Sequence, residues 1–158
     1  GYLAVEKYSL ASSVKRETRR LISVASGFNT KASRTLDTIK LINWGYRHFD
    51  TYEVSKNKES KFQVKTWLGE TEYLDAITKD DIYITVGKKD SRKFKVVLEY
   101  DGPVKAPISK DQEVAKLKIF IKDDLLKTVP LYASKEVKKI NFLKSVFLSL
   151  NYMIWGDV

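Results

Sequence analysis

Apolar and polar residues alternate with a period of two in four short runs of this chain. The runs cover residues 62–66, 82–86, 94–100 and 115–121. Such alternation is typical of β-strands that bury one face and expose the other. Polar residues, glycine and proline separate the runs, which indicates turns between strands. We therefore predict that residues 51–134 fold as a small all-β sandwich or barrel.

The first fifty residues predict two strands followed by a helix. Residues 8–13 and 19–26 flank a charged turn and read as strands, the second ending at Gly27. Apolar residues then recur at three- and four-residue spacing, as on one face of a helix, with Ser33 as a suitable N-cap. The residues of that face are Leu36, Ile39, Ile42, Tyr46 and Phe49.

The end of the predicted helix places two large rings around a glycine, in Trp44-Gly45-Tyr46. A residue without a side chain between aromatic rings indicates close packing at a junction. The pattern changes to period two just after it. We therefore place a domain boundary here and expect domains at residues 1–50 and 51–134, followed by a C-terminal segment at residues 135–158.

The composition restricts the classes of function. The chain has no cysteine and one histidine, His48, which excludes disulfides and any site built from several cysteines or histidines. We expect no metal and no cofactor. The net charge of +9 favours anionic partners, although lysines that alternate with apolar residues are typical of a solvated strand face. Residues 1–10 contain no signal-peptide pattern.

The junction resembles the end of the catalytic domain of bacterial D-alanyl-D-alanine carboxypeptidases, the low-molecular-mass penicillin-binding proteins of the 5/6 type. That family has an aliphatic pair, Asn or Thr, Trp-Gly-aromatic-Arg, and an acidic residue in a Phe-x-Thr step. The matching residues are Leu41, Ile42, Asn43, Trp44, Gly45, Tyr46, Arg47, Phe49, Asp50 and Thr51.

The resemblance continues on both sides of the junction. Downstream, Ala106-Pro107-Ile108 and Pro130-Leu131 match two strand entries of the family, although Ala115 stands where the family usually has glycine. Upstream, residues 8–13 match the strand that follows the family's K-T-G element. Gly1 would then be the last residue of K-T-G, or alternatively a remnant of a tag.

The resemblance implies a fold and an activity. The chain would hold a strand–strand–helix remnant of an α/β serine transpeptidase-like domain, then the β domain. The parent protein would be a serine acyltransferase that trims peptidoglycan stem peptides through an acyl-enzyme. This 158-residue part would lack the catalytic residues, because Gly1 is the one position that matches a catalytic element.

Three short copies of catalytic motifs are expected to be accidental. Residues 12–15 and 55–58 both read S-x-x-K, but the first runs from a predicted strand into a turn and the second is a polar loop. Residues 149–151 read S-x-N on the C-terminal segment. A functional serine and lysine must lie one helical turn apart in a cleft, together with oxyanion donors.

Residues 135–158 predict an amphipathic helix preceded by a basic run. It is too short and polar to span a bilayer, which takes roughly 20 mostly apolar residues, but suits a membrane interface. Packing against the sheet or in an oligomer is the alternative. The resemblance favours an anchor on the periplasmic face of the bacterial inner membrane. Its membrane-binding residues would be Phe142, Leu143, Val146, Phe147, Leu150, Met153, Ile154 and Trp155.

Two other functions compete with this interpretation. A basic β-barrel could bind nucleic acid or another anionic polymer, with Tyr83 and Phe120 as stacking residues. An accessory peptidoglycan-binding module is compatible with the first interpretation. The truncated helix would have lost most of the domain it packs against. Its apolar face, formed by Leu36, Ile39, Ile42 and Tyr46, would then find a substitute partner or be partly exposed, which predicts self-association through apolar faces.

Overall fold

The computed structural model describes residues 2–5, 7–141, 146 and 153. The chain divides into two compact units. The first contains the described residues of Gly1–Tyr52 and Thr85–Arg92, and the second contains those of Glu53–Ile84 and Lys93–Val158.

The first unit is built on an antiparallel ribbon and one helix. Strands β1 (Tyr2–Leu3), β2 (Lys7–Arg16) and β3 (Arg19–Phe28) lie side by side in chain order. Helix α1 spans Lys31–His48. The predicted order of two strands and a helix is confirmed. Gly27 was expected to end β3, but the strand continues to Phe28. Gly27 itself lies inside the strand with φ +83°.

The helix begins three residues earlier than the sequence predicts. Thr30 is the N-cap: its hydroxyl accepts a hydrogen bond from the Ser33 N–H at 3.0 Å. The Ser33 hydroxyl in turn accepts a hydrogen bond from the Thr30 N–H at 3.2 Å, which completes a capping box. The predicted N-cap, Ser33, is therefore its reciprocal partner at the third helical position.

The helix also ends earlier than its apolar spacing suggests. Phe49 is extended (φ −128°, ψ 145°) and opens β4 (Phe49–Ser55), so it does not extend the helical face. Its N–H donates to the Gly45 carbonyl and closes the last turn. Strand β4 pairs with β7 (Ile82–Gly87).

The second unit is a curled six-stranded sheet, which confirms the mainly β class of this chain. The strands, in chain order, are β5 (Phe62–Trp67), β6 (Tyr73–Ile77), β8 (Phe94–Glu99), β9 (Val104–Lys105), β10 (Glu113–Ile121) and β11 (Asp124–Ala133). Their order across the sheet is β8-β10-β11-β6-β5-β9. A 3₁₀ turn, Ser91–Lys93, precedes β8.

The four alternating runs all form strands: β5, β7, β8 and β10. Four other strands were not predicted: β4 and β6, which carry no clear alternation, and the two-residue strands β1 and β9. The β10–β11 hairpin turns at Lys122 and Asp123, because Ile121 pairs with Asp124. Lys122 takes φ +59° there, so the turn lies one residue before the expected Asp123-Asp124 pair.

The core of the second unit lies on the inner face of this sheet. The largest fully buried apolar side chains belong to β5, β6, β10, β11 and the loop after β9. They are Val64, Leu74, Ile108, Leu117, Ile119 and Leu131. Close by, Ser55 and Thr78 bury their hydroxyls, which satisfy each other at 3.0 Å. Such mutual pairing avoids the cost of a buried polar group without a partner.

Candidate functional site

Inside the first unit, Tyr46 near the end of α1 forms a cluster with Arg16 and Arg19 of the β2–β3 turn. The Tyr46 hydroxyl donates to the carbonyls of Val14 (2.7 Å) and Arg19 (3.1 Å). The guanidinium carbons of Arg16 and Arg19 lie 4.4 Å and 5.4 Å from the centre of the Tyr46 ring. Cation–π contacts and hydrogen bonds thus join the end of α1 to the β2–β3 turn. We call this set the arginine–tyrosine cluster.

Arg19 also binds the carboxyl end of the helix. Its guanidinium donates to the carbonyl of Phe49 and, at 3.3 Å, to the carbonyl of Gly45. Arg16 donates to the Asn43 side chain at 2.7 Å. A cation at this end complements the partial negative charge of the helix terminus. The sequence places Arg16 in a charged turn and Arg19 at the start of a strand, and no local pattern marks either residue for this role.

Gly45 confirms the close packing that was predicted at the junction. A Cβ atom added there would lie 2.9 Å from Cδ1 of Leu21 on β3. The two flanking rings behave differently. Tyr46 is half-buried in the cluster, whereas Trp44 is exposed and packs edge-on against Phe49 at 5.2 Å and near His48 at 5.7 Å between ring centres. Only one of the two rings therefore packs into the junction.

The first unit leaves two apolar surfaces open within the part of the chain that the structure describes. On α1, Leu36 and Ile39 are 58% and 52% exposed, whereas Ile42 is 6% exposed. On the β3 face that points away from α1, Ile22 and Val24 are exposed. The exposure expected for the helix face is thus observed at Leu36 and Ile39, whereas Ile42 is buried and Tyr46 is half-buried. A unit with apolar residues on both outer sides is suited to pack against further protein.

The S-x-x-K copies do not bring serine and lysine together. Ser12 lies on β2, where its hydroxyl bonds to Ser23 at 2.9 Å, while Lys15 is exposed on the opposite face. Ser55 is buried against Thr78, and Lys58 is exposed with φ +60°. Neither pair can act as nucleophile and base in this geometry. Residues 149–151 lie outside the described residues.

The charge distribution does not favour a basic β-barrel. The sequence of the second unit contains seventeen lysines and fifteen acidic residues, so its net charge is small. The sequence of the first unit contains twelve basic and five acidic residues. Tyr83, one proposed stacking residue, donates from its hydroxyl to Glu53 at 3.3 Å. Lost hydration, followed by the Glu53 charge, raises the pKa of Tyr83. A carboxylate beside the ring would repel a phosphate backbone.

The same glutamate binds Lys56 at 3.4 Å. Its charge is the main reason that the pKa of Lys56 is raised. The Lys56 and Glu53 side chains are both largely exposed, so solvent weakens their interaction and they do not form a reactive centre. Among the described residues, no group of three or more His, Cys, Asp or Glu side chains could hold a metal ion.

The predicted site residues at the two chain ends are mostly outside the described part. Gly1 and six of the eight membrane-binding residues fall there. The other two, Val146 and Met153, are helical and exposed. No helix among the described residues combines the length and apolar character needed to cross a bilayer.

Known proteins are similar to this chain over most of its length. It is 26% identical over 144 residues to the D-alanyl-D-alanine carboxypeptidase DacF of Bacillus subtilis, covering 90% of this chain and 37% of that protein. It is 26% identical over 152 residues to DacA of Escherichia coli, covering 94% and 38%. The chain thus spans less than half the length of these relatives.

Solved structures share the fold. Penicillin-binding protein 5 of Haemophilus influenzae superposes with a TM-score of 0.73 at 23% identity, over 88% of this chain and 41% of that one. The carboxypeptidase DacD of Francisella tularensis gives 0.60 at 24% identity, over 89% and 35%. At these identities the likeness concerns the fold alone.

Family membership follows from a match that covers more than half of the chain. Residues 49–139 match the model of the penicillin-binding protein 5 C-terminal domain. They begin at β4 and include the whole six-stranded sheet. The resemblance inferred from Trp44-Gly45-Tyr46-Arg47 and Ala106-Pro107 is confirmed. This chain belongs to the family of the penicillin-binding protein 5 C-terminal domain.

Proposed function

We propose that this chain is the C-terminal part of a serine-type D-Ala-D-Ala carboxypeptidase that trims peptidoglycan stem peptides. This part is not itself catalytic. It holds the catalytic domain near the membrane surface, on the periplasmic face of the bacterial inner membrane. Peptidoglycan is then a partner of the catalytic domain rather than of the β-rich unit.

One observation carries the proposal. The chain aligns over nine-tenths of its length with curated carboxypeptidases, yet it accounts for under two-fifths of each of them. The open apolar surfaces of the first unit support the same conclusion. Ile22, Val24, Leu36 and Ile39 are placed to contact the remainder of such an enzyme, or a second copy when this chain is alone.

A labelling experiment tests the non-catalytic assignment. The purified 158-residue chain should form no covalent adduct with a fluorescent penicillin and should release no D-alanine from a D-Ala-D-Ala peptide. The reason is that neither S-x-x-K copy positions a lysine to activate its serine. A complete D-alanyl-D-alanine carboxypeptidase serves as the positive control. Stoichiometric labelling that survives denaturation would contradict the assignment.

A second experiment tests the membrane assignment. Sedimentation with vesicles that contain anionic lipid should recover the 158-residue chain, and a variant that ends at Ile140 should lose most of that binding. Each large apolar side chain that the deletion removes is worth roughly 1.5–3 kcal/mol when fully buried. Ending at Ile140 retains the backbone hydrogen bond from Ile140 to Leu68, so the β-rich unit stays intact as an internal control. Equal binding of both chains would refute anchoring by residues 141–158.

A further inference from the structure

Residues 134–140, which follow β11, are bonded to the second unit along their length. These residues, which we call the strap, run across the end of the sheet that holds the start of β10. Ser134 donates from its N–H to the Asp75 carbonyl at 3.0 Å, and Ile140 donates to the Leu68 carbonyl at 3.0 Å. The strap is thus bonded to the unit at both of its ends.

The middle of the strap is held more tightly still. Val137 and Ile108 exchange two backbone hydrogen bonds of 2.9 Å, and Glu70 donates from its N–H to the Lys138 carbonyl at 3.0 Å. The Val137 side chain is 3% exposed and belongs to the core. A Cβ atom added to Gly69 would lie 2.7 Å from Val137 Cγ1, so the strap fits against a backbone that has no side chain at that point.

The strap carries an outward row of basic side chains. Lys135, Lys138 and Lys139 are all exposed while Val137 between them points into the core. Glu136 is the acidic residue of the strap and lies 3.8 Å from the Lys138 ammonium, with both side chains about two-thirds exposed. Because the backbone is bonded to the unit, these lysines form a fixed basic surface rather than a flexible basic tail.

This basic surface lies at the opposite end of β10 from the β10–β11 turn. Glu113 at the start of β10 pairs with Tyr132, two residues before Ser134. Ile121 at the other end of β10 pairs with Asp124 at the turn. The nine residues of β10 rise ~3.3 Å from one to the next, which separates the two ends by roughly 26 Å. The strap and the hairpin turn are therefore far apart on one rigid sheet.

We propose that the strap is a rigid, lysine-bearing contact surface for anionic lipid headgroups, and that it sets the orientation of the β-rich unit on the membrane. The inference rests on the proposed membrane function, but adds a surface distinct from residues 141–158. In this orientation the Ser109 loop, next to the strap through Ile108 and Val137, faces the bilayer. The hairpin turn at Asp123 points away from it.

Neutralising the strap tests the contact surface. A triple variant, Lys135→Gln, Lys138→Gln and Lys139→Gln, should bind vesicles that contain anionic lipid at least tenfold more weakly than the parent chain. About fivefold is expected for each lysine near the surface. The matched control, Lys93→Gln, Lys95→Gln and Lys127→Gln, removes the same charge near the hairpin turn. It should have little effect at 0.15 M salt, where the Debye length is ~8 Å.

Two outcomes separate this inference from the proposed function. If the parent chain binds anionic vesicles and both triple variants bind them as tightly as the parent does, the strap proposal is wrong and anchoring by residues 141–158 remains. If the parent chain does not bind vesicles at all, the membrane function fails and the strap proposal fails with it. Equal, salt-dependent losses in both triple variants would indicate attraction by net charge only, and would also overturn the strap.

Fluorescent labels test the orientation independently. Since the chain has no cysteine, single labels can be placed through Ser109→Cys and Asp123→Cys, both at exposed positions. With acceptor lipids in the bilayer, energy transfer should be strong from residue 109 and weak from residue 123. Comparable transfer from both positions in vesicle-bound protein would show that the unit has no fixed orientation. Circular dichroism of both labelled chains confirms that they are folded.

Discussion

Replacing Leu117 by alanine should lower the free energy of unfolding of the β-rich unit by ~2–5 kcal/mol. Leu117 is 0% exposed at the centre of β10 and is flanked by Val129 on β11 and Leu98 on β8. The truncation removes buried methyl groups and leaves a cavity, because neighbouring strands held by ladder hydrogen bonds can collapse only partly into it. Denaturant titration followed by circular dichroism measures the loss.

Leu125 provides the matched control for this prediction. It is the same residue type on the adjacent strand β11, but it is 51% exposed. Leu125→Ala should change the unfolding free energy by no more than about 0.5 kcal/mol, as is usual for surface substitutions. If both variants lose the same stability, the inner face of the curled sheet is not the core of this unit.

Replacing Arg19 by methionine should destabilise the first unit by about 2–3 kcal/mol. The change removes a charge-assisted hydrogen bond to the carbonyl of Phe49, of a kind worth ~1.5–3 kcal/mol, and a longer, weaker one of 3.3 Å to the carbonyl of Gly45. It also removes a cation from the carboxyl end of α1. Methionine keeps the length of the apolar stem, so the loss reports mainly on the guanidinium. Hydrogen exchange of the α1 amides measures it without interference from the second unit.

Arg20 is the control for the cluster. It follows Arg19 directly, but it is exposed and makes a 2.7 Å bond to the Ser13 hydroxyl. Arg20→Met should cost about 0.5 kcal/mol or less. A double-mutant cycle of Arg19→Met with Tyr46→Leu should show coupling, because the Arg19 guanidinium lies over the Tyr46 ring and each substitution removes one partner of that cation–π contact. Additive effects would mean that the two residues stabilise the helix end separately.

Local sequence patterns predict much of this fold. The alternation of residues 62–66, 82–86, 94–100 and 115–121 identified four strands, because a half-buried strand must alternate apolar and polar side chains. The same logic misplaced Phe49. Its spacing continues the helical pattern, but the chain turns into β4 at that residue, where Arg19 binds its carbonyl.

The sequence misplaced the start of the helix and missed strand β6, for different reasons. Thr30 and Ser33 are both good caps, and only the reciprocal bonds show which one begins the helix. Strand β6 has five residues, and Asp75 lies between two consecutive apolar residues on either side, so alternation does not mark a strand clearly. Its place next to β11 depends on pairing between segments more than fifty residues apart.

The sequence alone determined the mainly β class, the helix before the β region, and the family, since each depends on residue order or on short motifs. Only the tertiary structure shows which residues hold the helix end and the strap in place. Arg16 and Arg19 bind Tyr46 across about thirty residues, and Val137 fixes the strap through Ile108 and Gly69. Such contacts join segments far apart in the chain, and local periodicity contains no information about which distant partners meet.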